Sequence, residues 1–290
     1  MSLTAVSPTA VSPAGRGVAL RATMPIFAAA DPGRASVIAE LRAAGCVFAE
    51  DEADLLLAAA NVPHRLSAMV ARRVAGEPLE HILGWVDFAG VRVSVAPGVF
   101  VPRRRTEFLV LEAVSRLPNG PAVVVDLCCG SGAIGLAVAS AVRGPVELHA
   151  ADVDPVAVGC ARRNLGAVGG HVFEGDLYAA LPRRLRGRVN VLVANVPYVP
   201  TDAMALLPPE ARLHEPRPAL DGGPDGLDVF RRVTAGAVDW LAPDGHLLVE
   251  VGEEQTSAAV AELATAGLAA LVARSEEHEG AVVIGTRRTR

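Results

Sequence analysis

Asn195-Val196-Pro197-Tyr198 closes an apolar run, VNVLVA, and its residue types suit chemistry on a nitrogen. An amide nitrogen is a poor nucleophile because its lone pair is delocalised into the carbonyl. A site that uses one must reorient that lone pair and support the positive charge that grows on nitrogen. The side-chain oxygen of Asn195 and the backbone carbonyl of Val196 can each accept a hydrogen bond from an NH2 group, holding the nitrogen in line with an electrophilic carbon. Tyr198, beyond Pro197, can stack on a planar acceptor. These contacts strengthen as charge builds, which is the differential binding that catalysis requires. No strong general base is needed, because the nitrogen becomes acidic once alkylated. The plainer alternative is an Asn-X-Pro turn that closes a strand, as in any fold.

A second cluster lies upstream, in Asp126-Leu-Cys-Cys-Gly-Ser-Gly-Ala-Ile-Gly135. Glycines at 130 and 132 let the backbone pass close to a ligand, and the helix that follows offers free N–H groups beside Cys128, Cys129 and Ser131. Alone, this is equally a tight strand-to-helix connection. Its GSGAIG spacing departs only slightly from the dinucleotide G-x-G-x-x-G, so a nicotinamide cofactor stays in view. Two features favour a nucleoside. Asp152 ends the next apolar run, where ribose hydroxyls need a carboxylate acceptor, and Gly175-Asp176-Leu177 offers an acid for an adenine amino group and an apolar cover for its ring.

The elements that must position these residues follow from periodicity. From Pro121 onward, AVVVDLC, VELHAADV, HVFEGD, VNVLVANV and GHLLVEV alternate with helical segments such as AIGLAVASAV and PVAVGCARRNLGAV. Buried parallel strands joined by crossover helices give this rhythm, so a doubly wound α/β sheet is expected. The closing pieces LVARSEEHE and GAVVIGTR, separated by Gly280, read as two strands joined by a tight turn and suit an antiparallel edge. Upstream, Asp31 with Pro32, Asp51 before ADLLLAAA, and Pro63 before HRLSAMVARRVAG mark a small helical module. Between Gly84 and Val101, VDFAG and VRVSVAPGVFV read as a hairpin connector with its turn at Ala89 and Gly90.

Composition narrows the classes. The chain has 290 residues, 51% of them hydrophobic, enough for one large domain and a smaller one. All 27 basic side chains are arginine, and the net charge of -5 gives no general attraction for nucleic acid. The four cysteines and seven histidines lack metal-ligand spacing, so no metal is assigned. No window is long enough for a membrane span, and prolines, Gly15 and Arg16 break the N-terminal stretch that a signal peptide would need. A cytoplasmic protein is expected, with residues 1–23 unstructured.

With these motifs in order, the chain resembles the HemK/PrmC family of protein-(glutamine-N(5)) methyltransferases, which modify the glutamine of the Gly-Gly-Gln motif in peptide-chain release factors. The resemblance runs from about Asp51 to Arg287 and rests on ADLLLAAA, RRVAGEPLEHILGWVDFAG, VPRRRTE (similar to an IPRPETE-type segment), DLCCGSGAIG, AADVDP, EGDLY, Asn195 to Tyr198, and LHEPRPALDGGPDGLDVFRRV. It implies a Rossmann-like class I methyltransferase domain over 102–290, with a mostly parallel seven-stranded sheet and an antiparallel edge strand. It also implies a helical substrate-recognition domain over 24–83 and a hairpin linker over 84–101. The implied cofactor is S-adenosylmethionine, held by Asp126, Cys128, Cys129, Gly130, Ser131, Gly132, Asp152, Asp176, Leu177 and Asn195. Asn195, Val196, Pro197 and Tyr198 would hold the acceptor glutamine, with Arg103, Thr106 and Glu215 on the substrate side. The partner implied is a protein, the release factor, rather than nucleic acid or membrane.

Two departures stand out. Val196 replaces the family's proline, keeping the carbonyl while adding a donor and loosening the backbone. Arg104 replaces another proline, making an Arg103-Arg104-Arg105 run that is either solvated surface or a face for an acidic partner. Two other functions compete. Methylation of adenine N6, or of another small-molecule or peptide nitrogen, uses the same hydrogen-bonding and stacking chemistry, and the adenine case also needs base extrusion and phosphate contacts. A binding protein that keeps cofactor affinity without catalysis conflicts with the presence of Asn195, Pro197 and Tyr198.

Overall fold

The computed structural model describes residues 32–289. The expected unstructured start at 1–23 and the expected cap at Asp31 lie outside them. Four helices come first: α1 (Pro32–Ala43), α2 (Ala49–Ala59), α3 (Pro63–Val74) and α4 (Leu79–Leu83). Pro63 occupies the first turn of α3, where a missing N–H costs no hydrogen bond. Leu41, Leu56, Met69, Val70 and Ile82 form a core of their own. Burial of side chains this size contributes about 1.5–3 kcal/mol each.

The chain then forms a hairpin of β1 (Trp85–Phe88) and β2 (Val91–Ser94), with Phe88 opposite Val91. Its two turn residues, Ala89 and Gly90, have φ of 45° and 79°, as a two-residue turn matched to the right-handed strand twist requires. Phe88 and Val93 point into the main core.

The remaining elements are α5 (Glu107–Ser115), β3 (Ala122–Leu127), α6 (Ala133–Ala141), β4 (Val146–Asp152), α7 (Pro155–Leu165), β5 (His171–Glu174), β6 (Val189–Ala194), α8 (Pro209–His214), α9 (Asp228–Trp240), β7 (Leu241–Val251), α10 (Thr256–Thr265), β8 (Ala269–Ser275) and β9 (Gly280–Thr286). One seven-stranded sheet runs in the order β5-β4-β3-β6-β7-β9-β8. β3 to β7 pair in parallel, and the β8–β9 hairpin adds the antiparallel edge, with β9 between β7 and β8. Every residue of β3 is buried, because helices cover both faces. Val124, Val191 and Leu248 face the α5, α6 and α7 side, while Leu192, Leu247 and Val249 face the α9 and α10 side.

The closing turn differs from the sequence expectation. β8 stops at Ser275, residues 276–279 make the turn, and Gly280 opens β9 instead of sitting at the turn. The reason is local: the Ser275 hydroxyl accepts the His278 N–H at 3.2 Å, and Glu279 takes a φ of 49°. A side-chain-capped turn of this kind leaves no signature in hydrophobic periodicity.

Candidate functional site

Strand order reverses beside β3, with β4 on one side and β6 on the other, so the connections leaving β3 and β6 splay apart. A crevice at the carboxyl ends of the strands follows. It holds a cavity of about 1220 Å³, whose wall includes the β3–α6 turn, the ends of β4 and β5, the segment after β6, and the stretch leading into α5. That volume exceeds what one drug-sized ligand commonly needs, and it accommodates two reactants side by side.

The β3–α6 turn is shaped by three positive φ values, at Cys128 (54°), Gly130 (54°) and Gly132 (77°). At Gly130 no atom lies within 4 Å of where a Cβ would stand, so its face is open to the cavity, whereas a Cβ at Gly132 would meet Leu165 and Ala161 at 3.1–3.2 Å. The two glycines therefore serve different ends, one for access and one for helix packing. Asp152 reaches back from β4: its Oδ2 accepts the Gly130 N–H at 2.8 Å and its Oδ1 the Asp154 N–H at 2.9 Å. Burial holds the Asp152 carboxyl above the usual range, against the pull of those two N–H groups.

Asp126 lies beneath the turn instead of on the cavity wall. It is fully buried, and its Oδ2 accepts the Gly135 N–H at 2.9 Å. Burial pushes its carboxyl up to about 7, with the Gly135 N–H opposing. Cys128, Cys129, Gly130, Ser131, Asp152, Asp176 and Leu177 line the cavity, while Asp126 and Gly132 do not. Asp176 pairs with Arg232 at 2.5 Å on the exposed rim.

After β6, the segment from Asn195 to Thr201 is laced to a second loop. Val199 N–H donates to Leu220 O at 3.0 Å, Gly222 N–H to Val199 O at 2.9 Å, and Thr201 N–H to Gly223 O at 2.9 Å. The Gln255 amide donates to both Tyr198 O (2.9 Å) and Asp225 O (3.0 Å). Gly226 is required here, since a Cβ would stand 2.2 Å from Tyr198 O. Asn195, Val196, Pro197 and Tyr198 all line the cavity. The Asn195 Oδ1 is buried without a partner, as is the Thr106 Oγ1 across the cavity. Buried polar oxygens are rarely left unbonded unless a ligand, water or strain accounts for them.

The basic run does not form one outward patch. Arg103 turns to Glu215, bonding both carboxylate oxygens at 2.6 Å, and Arg105 turns to Glu250 and the Tyr198 hydroxyl. Arg104 alone of the three has no ion-pair partner among the described residues. Arg103 and Thr106 line the cavity, and Glu215 sits behind Arg103, with only 1% of its side chain exposed. Three supporting residues, Asn164, Glu250 and Gln255, were not singled out in the sequence, and Arg105 was read there only as part of a basic run. Asn164 exchanges hydrogen bonds with Ser94 and donates to Ser131 O at 2.8 Å, joining the hairpin to the β3–α6 turn. Nothing in the local spacing of these residues signals such partners.

Comparisons with known proteins agree with this geometry. Residues 91–207 match the family model "Methyltransferase small domain". A release factor glutamine methyltransferase of Mycolicibacterium smegmatis is 37% identical over 251 residues, 85% of this chain and 88% of that protein. One from Geobacter sulfurreducens is 41% identical over 195 residues, 66% of this chain and 67% of that protein. This chain belongs to the release factor glutamine methyltransferase family. A 4-amino-L-phenylalanine/4-methylamino-L-phenylalanine methyltransferase of Streptomyces pristinaespiralis is also similar, 36% identical over 74% of each chain. Among solved structures, a methyltransferase from Pyrococcus furiosus shares the fold, with a TM-score of 0.52 and 15% identity over 69% of this chain and 90% of that one.

The chain is therefore an enzyme of the S-adenosylmethionine-dependent methyltransferase class, with the Rossmann-like sheet expected of it. The cavity fits that cofactor. The open face of Gly130 leaves room for a ligand against the backbone, Asp152 presents a carboxylate, and the Asn195 oxygen on the same wall is without a partner. Among the described residues no helix is long and apolar enough to cross a membrane.

Proposed function

We propose that this chain is a cytoplasmic enzyme that moves a methyl group from S-adenosylmethionine to the side-chain amide nitrogen of a protein glutamine, with the Gly-Gly-Gln glutamine of a release factor as acceptor. The observation that carries this reading is the buried, unpartnered Asn195 Oδ1 on the cavity wall. Beside it, Val196 is 2% exposed, and its backbone N–H and carbonyl find no partner among the described residues. The two oxygen acceptors match the two N–H bonds of a primary amide, and the free Val196 N–H remains as a donor for the amide's own carbonyl or for water.

In this reading the loop from Cys128 to Ser131, with Asp152 and Leu177, holds the cofactor, which when bound supplies a sulfonium-activated methyl carbon. Asn195 and Val196 draw the amide N–H bonds into the plane they dictate, turning the nitrogen lone pair toward that carbon. Their hydrogen bonds shorten as nitrogen gains charge, which lowers the barrier selectively. The new N–C bond would replace the methyl carbon's bond to the cofactor sulfur, which would keep that electron pair and leave as a neutral thioether, and the nitrogen would then release its proton to solvent. Residues 24–83 act as the substrate-recognition domain, the hairpin region 84–101 as linker, and 102–290 as the transferase.

A second acceptor, a free aromatic amine, draws support from the relative named for 4-amino-L-phenylalanine and from Tyr198 on the cavity wall. One experiment separates the two. The purified protein is incubated with labelled S-adenosylmethionine and, separately, release factor, its Gln→Ala variant in Gly-Gly-Gln, and 4-amino-L-phenylalanine, and products are mapped by mass. Methylation of the glutamine that disappears in the variant is expected. Equal labelling of both release factors, or of the small amine alone, overturns it.

A further inference from the structure

Tyr198 is pinned at both ends. Its carbonyl accepts from the Gln255 amide at 2.9 Å, and its hydroxyl donates to Glu250 Oε1 at 3.2 Å while accepting from Arg105 Nη2. Arg105 Nε also donates to Glu250 Oε1, at 3.1 Å, and the guanidinium carbon lies 5.4 Å from the centre of the Tyr198 ring. Glu250 comes from β7 with 4% of its side chain exposed, and its Oε2 is buried without a partner. Arg105 comes from the segment before α5, has 48% of its side chain exposed, and lines the cavity beside Tyr198. The turn between β8 and β9 leans on it: a Cβ at Gly280 would stand 3.3 Å from the Arg105 carbonyl.

A tyrosine ring has two soft torsions, and fixing both the backbone and the hydroxyl removes both. Glu250 alone cannot do this well, because an isolated buried carboxylate is costly and seeks a cation. Arg105 supplies that cation and, with its planar fork, a second contact to the same hydroxyl. The segment VPRRRTE places this arginine where the IPRPETE-type segment has a glutamate.

We propose that Arg105 and Glu250 act as one positioning device that sets the angle of the Tyr198 ring and hence the width of the slot for the methyl acceptor. The inference rests on the reading of Tyr198 as the acceptor's aromatic wall. In this proposal both are positioning residues, Glu250 from behind the ring and Arg105 from the cavity wall, and both act through the phenol.

The chain has two tyrosines, Tyr178 and Tyr198, so protein labelled with 3-fluorotyrosine gives two fluorine resonances, assigned with Tyr198→Phe. In Arg105→Gln and in the near-isosteric Glu250→Gln, the Tyr198 line is expected to shift and broaden while the Tyr178 line stays fixed. In turnover assays, Arg105→Gln and Tyr198→Phe should each lower kcat/KM for the acceptor about tenfold, with the dissociation constant of S-adenosylmethionine unchanged within twofold. The double variant should be no worse than the weaker single within threefold, because both remove one device. A multiplicative loss in the double variant, or an unmoved Tyr198 line, overturns the proposal. Wild-type protein that fails to methylate glutamine defeats the acceptor reading instead, and the fluorine spectra then decide this one alone.

Discussion

Arg103 and Glu215, 112 residues apart in sequence, meet in a two-oxygen ion pair at 2.6 Å that joins the approach to α5 with the segment after α8. The Glu215 Oε1 also accepts the Val101 N–H at 3.2 Å. The pair is asymmetric, since Glu215 is enclosed while a third of Arg103 reaches solvent. Burial raises the Glu215 carboxyl, and Arg103 pulls it back. Arg103→Ala strands a buried carboxylate and should cost about 3 kcal/mol, whereas Glu215→Gln leaves an arginine that can hydrate and should cost about 1. Urea unfolding of the two variants checks the order. Equal costs would show that the pair is not buried as described.

Asp126 gives a pH signature. Its carboxyl is pushed up to about 7 in the folded chain by burial, against about 3.9 when unfolded. A raised folded value means the folded state holds the proton more tightly. The stabilisation is therefore complete below about pH 4 and is lost as pH rises through about 7. Asp126→Asn removes the titration, so the stability of the variant relative to wild type should climb by up to roughly 4 kcal/mol between pH 4 and 7 and stay level above. Unfolding curves at five pH values test this, and a flat difference refutes it.

Gly226 and Gly45 offer a paired test of close approach. Both have positive φ, 76° and 89°, but a Cβ at Gly226 would stand 2.2 Å from Tyr198 O, while nothing lies within 4 Å at Gly45. Gly45→Ala should cost about 1 kcal/mol from backbone strain and leave turnover unchanged. Gly226→Ala adds a clash that must displace the loop holding Tyr198, and should lower turnover more than tenfold or cost about 3 kcal/mol. Matching behaviour of the two variants would contradict the described packing.

Arg73 fastens the helical module to the transferase domain. From α3 it pairs with Glu52 of α2 at 2.6 Å and with Glu210 of α8 at 3.1 Å, with 12% of its side chain exposed. Arg73→Ala should cost about 3 kcal/mol, and Glu210→Gln less than 1, because Glu210 is over a third exposed. If the module recognises the protein substrate, Glu210→Gln should raise the acceptor KM with kcat nearly constant. An unchanged KM would separate the ion pair from substrate recognition.

The order of strands and helices, the hairpin turn at Ala89-Gly90, and the glycine turn after β3 were legible in the sequence because each depends on residues within a few positions of one another. Hydrophobic period, turn chemistry and glycine placement are local properties. Asn195 to Tyr198 could be singled out for the same reason, as a short motif with its own chemistry. The Gly280 turn was misplaced because a Ser275 side chain, and not a glycine, closes it. What the tertiary structure alone decided is which distant residues support that motif. Arg105 with Glu250 spans 145 positions, Arg103 with Glu215 spans 112, and Asn164 with Ser94 spans 70. These partners meet because the sheet order brings β3, β6 and β7 side by side and folds the hairpin onto α7. An isolated charge in the sequence carries no mark of its partner; only the sheet order settles whether Arg105 faces solvent or Tyr198.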